Sequence, residues 1–568
     1  MKKSVKVLFA FLMIAALLVP LCSLTAFACP GCAGLDPDAP LFTQGNFQYN
    51  VMEDGSAKIV GIIGDVGSDL VIPSELGGYP VRWMAWITPE KAEDIVSVTL
   101  PETMQGMYSM MFVDDDFTKL ERINFASLKQ YFEMDFLTDF VFNPLLDYDL
   151  YAGGVKFELS GDIVIPEGVE KIGVRVFSGL KDITSISIPS TLKKIESFAF
   201  TYSGNIPRLY VADLSAWCTF EHGDMVTGLS FDELYVGGEK VTNLVIPEDV
   251  TEIGHWAFSG CGSITSVTIP YGVTAIGDRA FGGCEGITSV EIPSSVKTIG
   301  VGAFVECKSL ENVIIHNGVE TIGATAFADC DKLMSIVIPD SVTKIESSAF
   351  SHCSNLRSVK LPSGLTEISG MMFSECTSLV NVNIPDSVQV IELEAFERCL
   401  ALENIVIPEG VTTIEDAAFF SCKSLTSVTI PGSVKVIEED AFYNCENLTT
   451  VILGDGVKRI GDNVFNSCIN LKDVTIPDSV TSIGERAFSV SSKLTVHTPM
   501  DSYAHKNAEP WMKVEIIGGK AEEEVPPAVT EETDAISPLW YVIPICAVVV
   551  IAAVVLIVVK KKKIKNEA

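Results

Sequence analysis

Positive charge is scarce in this sequence: 40 Lys and Arg stand against 74 Asp and Glu, a net charge of −34. Eight of those 40 cations sit at the two ends (Lys2, Lys3, Lys6, Lys560 to Lys563 and Lys565), so the chain between them is more negative still. A surface of that sign repels phosphate backbones and anionic headgroups, which removes nucleic acid from the expected partners. Histidine is equally sparse. The six residues (His222, His255, His316, His352, His497, His505) share no spacing that would line up imidazoles for metal binding or proton transfer. HExxH, GxSxG and the phosphate-binding GxxxxGK[ST] pattern are absent, and with them the signatures of zinc peptidases, serine hydrolases and P-loop enzymes. Asp114-Asp115-Asp116 lacks the spacing and the following glycine of an EF-hand loop and reads as a solvated acidic turn. No catalytic, cofactor-binding or metal residue is assigned, no cofactor is expected, and the chain is read as not being an enzyme.

Long apolar runs are also few, and they lie at the ends. Residues 1–28 combine the basic start with an apolar run from Val7 to Leu21 and end in Ala26-Phe27-Ala28, the layout of a secretory signal peptide. Cys29 then begins the mature chain; lipid attachment there is disfavoured by Phe27, which stands where a small or branched residue is wanted. Leu539 to Val559 is 21 residues without a charge, enough at 1.5 Å rise per residue to cross a bilayer core of about 30 Å. The lysines that follow place the tail in the cytoplasm and residues 29–538 outside. No Leu-Pro-x-Thr-Gly motif precedes this segment. The expected location is a single-pass cell-membrane protein held by its C-terminal helix.

What the sequence has in abundance is repetition. From Pro247 to Pro499, eleven units of 23 residues follow one another without insertion. With Pro247 as position 1, position 7 is Ile in every unit, from Ile253 to Ile483. Position 12 is always Phe: Phe258, Phe281, Phe304, Phe327, Phe350, Phe373, Phe396, Phe419, Phe442, Phe465 and Phe488. Position 15 is Cys in ten consecutive units: Cys261, Cys284, Cys307, Cys330, Cys353, Cys376, Cys399, Cys422, Cys445 and Cys468. Positions 21 and 23 alternate apolar residues as a half-buried strand does. A usual Ala at 11, Phe at 12 and Cys at 15 have the spacing of one helical turn, and VxxIG at positions 4–8 is ambiguous between a second strand and a turn. One unit cannot bury its own apolar side chains, so coils must cover one another and the fold is a solenoid. At about 4.8 Å per parallel strand the array is roughly 50 Å long.

The pattern CxxLxxVxIPxxVxxIGxxAF resembles the BspA-like class of leucine-rich repeats, found mainly in bacterial surface proteins. The resemblance covers 247–499 closely, 161–211 well through Ile172, Phe177, Ile195 and Phe200, and 70–101 loosely. It implies a leucine-rich repeat solenoid, mainly parallel β with short helical turns in 23-residue coils, here followed by a single C-terminal transmembrane helix, and a role in adhesion or binding. The organisation expected is a signal peptide (1–28), a capping hairpin with degenerate repeats (29–160), repeats (161–211), an irregular insertion (212–246), the eleven repeats (247–499), a C-terminal cap (500–517), an acidic stalk (518–538), the membrane helix (539–559) and a basic tail (560–568). FQYNVMEDGSAKIVGIIG (47–64) reads as a hairpin about Asp54-Gly55 that covers the first coil.

Two kinds of column remain. The Phe and Cys columns are core, the thiols reduced and buried, because parallel stacking points all their Cβ vectors the same way and Cys is among the most buried residue types. Cys29 and Cys32 form a CxxC read as a simple disulfide or as without a role. Position 22 varies instead: Thr268, Glu291, Ile314, Val337, Lys360, Asn383, Val406, Thr429, Ile452 and Thr475, beside a small polar position 20. This outward column is the candidate ligand face, suited to an extracellular protein or glycan; the alternative is a structural scaffold with no specific ligand. At position 8, Glu346, Glu392, Glu415 and Glu438 stack like charges, which either splay into water or are compensated by a cation or basic partner.

Overall fold

The structure, a computed structural model, describes residues 39–517 apart from 86–88, 109–116, 138–142, 144, 220, 223–228 and 490–493. Within the array, position 21 is buried and positions 20 and 22 point outward, so the strands form a ladder with one face on the core. Ser289–Ile292 pairs in parallel with Asn312–Ile315, and Ser427–Ile430 with Thr450–Leu453, each residue meeting its counterpart 23 positions on. The ambiguous VxxIG stretch is a second strand of two residues: Glu252–Ile253 pairs with Ala275–Ile276, which pairs with Thr298–Ile299 and then Thr321–Ile322. A coil is therefore strand, turn, short strand, turn, with the core enclosed between two parallel ladders.

Two features of the expected fold class are corrected. The segments carrying Ala, Phe and Cys are hydrogen-bonded turns, not helical ones. Bonds such as Cys261 N–H to Phe258 O (3.1 Å) reproduce the three-residue spacing of a helix. Left-handed residues at positions 10 and 14, for example Ser348 (φ 60°) and His352 (φ 58°), stop a helix from propagating. Among the described residues the α-helices lie outside the array: Leu128–Glu133, Leu214–Thr219 and Tyr503–Lys506, none longer than six residues. Among the described residues no helix is long and apolar enough to cross a membrane, and the fold they form is a β-solenoid. Leu539–Val559 lies outside the described residues.

Before the array, Phe42–Gln44, Phe47–Val51 and Ala57–Ile62 form an antiparallel meander, and Tyr79–Met84 then pairs with it in parallel. The turn between the last two meander strands is closed by Asp54, whose Oδ1 accepts the Ser56 N–H (2.9 Å) and hydroxyl (2.6 Å). The stretch 102–160 continues the coiling: Ser97 is paired with Arg122 and Arg122 with Asp149, at offsets of 25 and 27 residues. In 212–246 the helix Leu214–Thr219 replaces the usual strand entry, and Trp217 Nε1 donates to Ala257 O at 2.8 Å. Phe231–Val236 then rejoins the ladder, Ile206 pairing with Phe231.

One hydrophobic cluster runs the length of the described chain. Its axis is the Phe column, where consecutive rings from Phe258 to Phe488 stack with centroids 4.9–5.9 Å apart. The widest step, Phe350 to Phe373 at 5.9 Å, falls where Met372 replaces the usual Ala of position 11. A larger side chain between coils pushes them apart, as expected of a close-packed interior.

Candidate functional site

The thiol column was the first candidate chemistry. All ten cysteines are fully buried as thiols. From Cys284 onward each Sγ donates to the carbonyl of the Phe 26 residues earlier, in the preceding coil: Cys284 to Phe258 O (3.0 Å), Cys330 to Phe304 O (3.3 Å), Cys468 to Phe442 O (3.2 Å). Each thiol thus gives a Phe carbonyl a donor from the next coil; Phe258 O, for example, accepts both the Cys261 N–H of its own turn and the Cys284 thiol. Burial pushes the Cys307 and Cys353 thiols up to about 12 and drives Cys284, Cys330, Cys376 and Cys399 well above the ordinary range, so the nucleophilic thiolate is suppressed. Native protein is expected to resist alkylation; in denaturant without reductant, mass measurement should find all of Cys261 to Cys468 labelled. Labelling of two or fewer would reveal a disulfide ladder.

The stacked carboxylates neither splay nor await a cation. Glu346 accepts the Ala324 N–H (3.2 Å), Glu392 the Gly370 N–H (2.8 Å) and Glu415 the Leu393 N–H (3.1 Å), each in the coil before. Ser369, in the same column, donates its hydroxyl to Ile345 O at 2.5 Å. Lys344 and Arg459 pair with Glu346 and Glu438. Glu346, Ser369, Glu392 and Glu415 thus clamp the backbone of the coil before, and Glu438 is held by Arg459. Beside it, burial with Glu439 and Asp416 nearby raises the Asp440 carboxyl, and burial with Glu397 raises Glu394.

The strand face is where the outward column lies. Thr268, Glu291, Ile314, Val337, Lys360, Asn383, Val406, Thr429 and Ile452 are exposed, while Thr475 is half-buried. The register sets Glu291 beside Ile314, Val337 beside Lys360, and Thr429 beside Ile452. Ile314 (51%) and Val337 (59%) stand in neighbouring coils, and Met334 (53%), at position 19 of the same coil as Val337, is exposed as well; its column is otherwise polar or mixed, which hid it in the sequence. His316 Nε2 and Glu291 Oε1 pair at 2.7 Å at the edge of this patch. Val406, at 76% the most exposed of the large hydrophobics among the described residues, lies in Asn404–Ile407, where the strand ladder lapses between Asn381–Val382 and Ser427–Ile430. Val71, Val164 and Val245 repeat the arrangement upstream, each 60–67% exposed and each followed by Ile-Pro. That shared tripeptide was the available signal for them.

A solenoid of parallel strands whose inward columns are constant and whose outward column varies defines the class: a leucine-rich repeat protein. The family described as BspA type Leucine rich repeat region (6 copies) matches over 157–216, 232–356, 274–402, 320–447 and 389–505, and the chain belongs to that family. Among solved structures, it is similar to a leucine-rich repeat protein from Bacteroides ovatus (24% identity over 78% of this chain and 99% of that one, TM-score 0.42). It is also similar to the leucine rich repeat protein of T. pallidum (33% identity, 28% and 78% covered, TM-score 0.27). A leucine rich cell surface protein from Faecalibacterium prausnitzii matches at 23% identity over 73% of this chain and 96% of that one, TM-score 0.31. No curated protein matches the chain.

Proposed function

We propose that this chain is a recognition protein displayed at the cell surface, binding an extracellular protein or glycan through its strand face and catalysing no reaction. One observation carries this reading: along a parallel ladder the inward residues stay constant while the outward residue of the same strand varies from coil to coil and stays in solvent. Buried columns are held constant by packing; an outward column beside them is free of that constraint and available for contact. Membership in the BspA-type family supports the binding role, and the Faecalibacterium prausnitzii relative, named a cell surface protein, supports the location.

The Ile314, Met334 and Val337 group, rimmed by Glu291, His316 and Lys360, has the make-up of an interface centre: apolar anchors inside a polar border. The test is capture by the immobilised full-length protein from a panel of extracellular-matrix proteins, mucins and neighbouring-cell surfaces. Saturable capture of one class is expected, with affinity falling about tenfold or more in Ile314→Asp, Val337→Asp, a loss of roughly 1.4 kcal/mol. Capture unchanged by the double substitution would place the contact elsewhere, and no saturable capture would favour a scaffold.

A further inference from the structure

The ladder ahead of the eleven-coil array carries a surface of different chemistry. Ile183–Ile188, Ile206–Val211 and Phe231–Val236 lie side by side in parallel, and Ser187, Tyr210 and Tyr235 are direct partners across them. Ile186, Leu209 and Leu234 are fully buried, so strand alternation turns these partners outward. After Phe231–Val236 the chain reverses at Gly237 and Gly238, with φ of 60° and 86°, and Lys240 comes to lie opposite Tyr235.

The two tyrosine rings stack, centroids 4.8 Å apart and planes inclined at 29°. Both residues are half-buried. Their rim is polar and balanced in charge. Tyr235 Oη donates to Glu233 Oε2 (3.0 Å), and Lys240 Nζ to Glu233 Oε1 (2.5 Å). Arg208 lies 3.6 Å from Asp162, which also accepts the hydroxyls of Thr184 and Ser185. The preceding ladder closes with the same order of residues: Asp149, Tyr151, Gly153-Gly154 and Lys156, with Tyr151 opposite Lys156 and an Asp149–Lys156 ion pair of 2.8 Å. There the partner of Tyr151 is Asn124, so the two-ring platform exists only in the later copy.

We propose that the Tyr210–Tyr235 platform binds a neutral, pyranose-containing glycan. Stacked on Tyr235 on one side, Tyr210 has only the small Ser187 as its strand partner on the other, so the pair is a rigid aromatic surface that loses little entropy on contact and is suited to the C–H face of a sugar ring. The carboxylates, ammonium and guanidinium at its edge supply acceptors and donors for the hydroxyls. Other occupants fit the surface less well. Peptides are recognised by an open strand edge or by a pocket that anchors a side chain. Here Glu239–Lys240 already occupies the edge beside Tyr235, and the rings, stacked at 4.8 Å, leave no pocket between them. A polyanion would meet Arg208 and Lys240 already offset by Asp162 and Glu233, on a chain of net charge −34. This site lies outside the aliphatic column of the array, so neither ligand assignment depends on the other.

The experiment is titration of the full-length protein with cellotetraose, maltotetraose and chitotetraose, read by saturation-transfer NMR and by intrinsic tyrosine fluorescence. At least one should bind saturably. Tyr235→Ala should weaken that binding about tenfold or more, as loss of one stacking ring implies. Tyr235→Phe, which keeps the ring and drops the bond to Glu233, should retain most of it. Tyr210→Ala serves as the second platform variant, and an unchanged unfolding midpoint identifies which variants have folded. Saturable binding of none of the three sugars would overturn the proposal. So would binding that a folded Tyr235→Ala or Tyr210→Ala leaves unchanged, or tighter binding of a sulfated oligosaccharide than of any neutral one.

Discussion

Raising the pH from 8 to 10 is expected to unfold the eleven-coil array through its cysteines. An exposed thiol ionises near 8.5, and each pKa unit of difference between two states is worth about 1.4 kcal/mol. In the folded chain burial holds the thiols protonated, with Cys307 and Cys353 raised to about 12. A folded pKa above the unfolded one means that the native state retains protons which the unfolded state gives up. The stability this represents is complete below about pH 8.5 and is lost as pH climbs toward 12. Per coil the loss should approach about 1.4 kcal/mol per pH unit once the unfolded thiol is ionised, and it recurs in nine consecutive coils, Cys261 to Cys445. Urea unfolding at pH 8, 9 and 10 checks it. Cys307→Ala with Cys353→Ala should flatten the slope by two thiols' worth; an unchanged slope would mean that other groups set the alkaline limit.

Phe350→Ala should cost about 3–5 kcal/mol, the usual range when a buried aromatic is truncated and a cavity remains. Phe350 is fully buried and stacks on Phe327 at 5.6 Å and on Phe373 at 5.9 Å. Its carbonyl also accepts the Cys376 thiol at 3.1 Å, a bond the new cavity would disturb. Because stability in a repeat array is roughly a sum of coil and neighbour terms, the loss is local. Denaturation followed by two probes should separate into two steps on either side of the cavity, where the wild-type array gives one.

The repeat itself was legible because Ile253 to Ile483 and Phe258 to Phe488 keep one spacing, and constant spacing can only mean stacking of equivalents. The coils at 102–160 and 212–246 were not, because their offsets are 25 and 27 residues and the helix Leu214–Thr219 stands in for a strand. The Phe–Cys segment was misread as helical for a specific reason: a chain of i→i+3 turns shares the helix's apolar spacing, and its left-handed residues include Trp256, His352 and Met371, types that advertise no positive φ. The position-8 glutamates looked unpaired because their partners are backbone N–H groups one coil away, as Gly370 is to Glu392. The Tyr210–Tyr235 platform escaped notice because its members sit 25 residues apart, off the 23-residue period. The strand face, by contrast, followed from alternation alone, and its outward residues are those that alternation points to solvent.

That division of each strand into a packed inside and a free outside underlies both the stability and the recognition assigned to the chain. The most direct measurement of it compares the unfolding free energies of Phe350→Ala and Val337→Ala by urea titration. Phe350 is fully buried and Val337 is 59% exposed, so the first substitution should lower stability by about 3–5 kcal/mol and the second by no more than about 0.5. Equal destabilisation by the two would contradict the assignment of inside and outside, and with it the strand face as the binding surface.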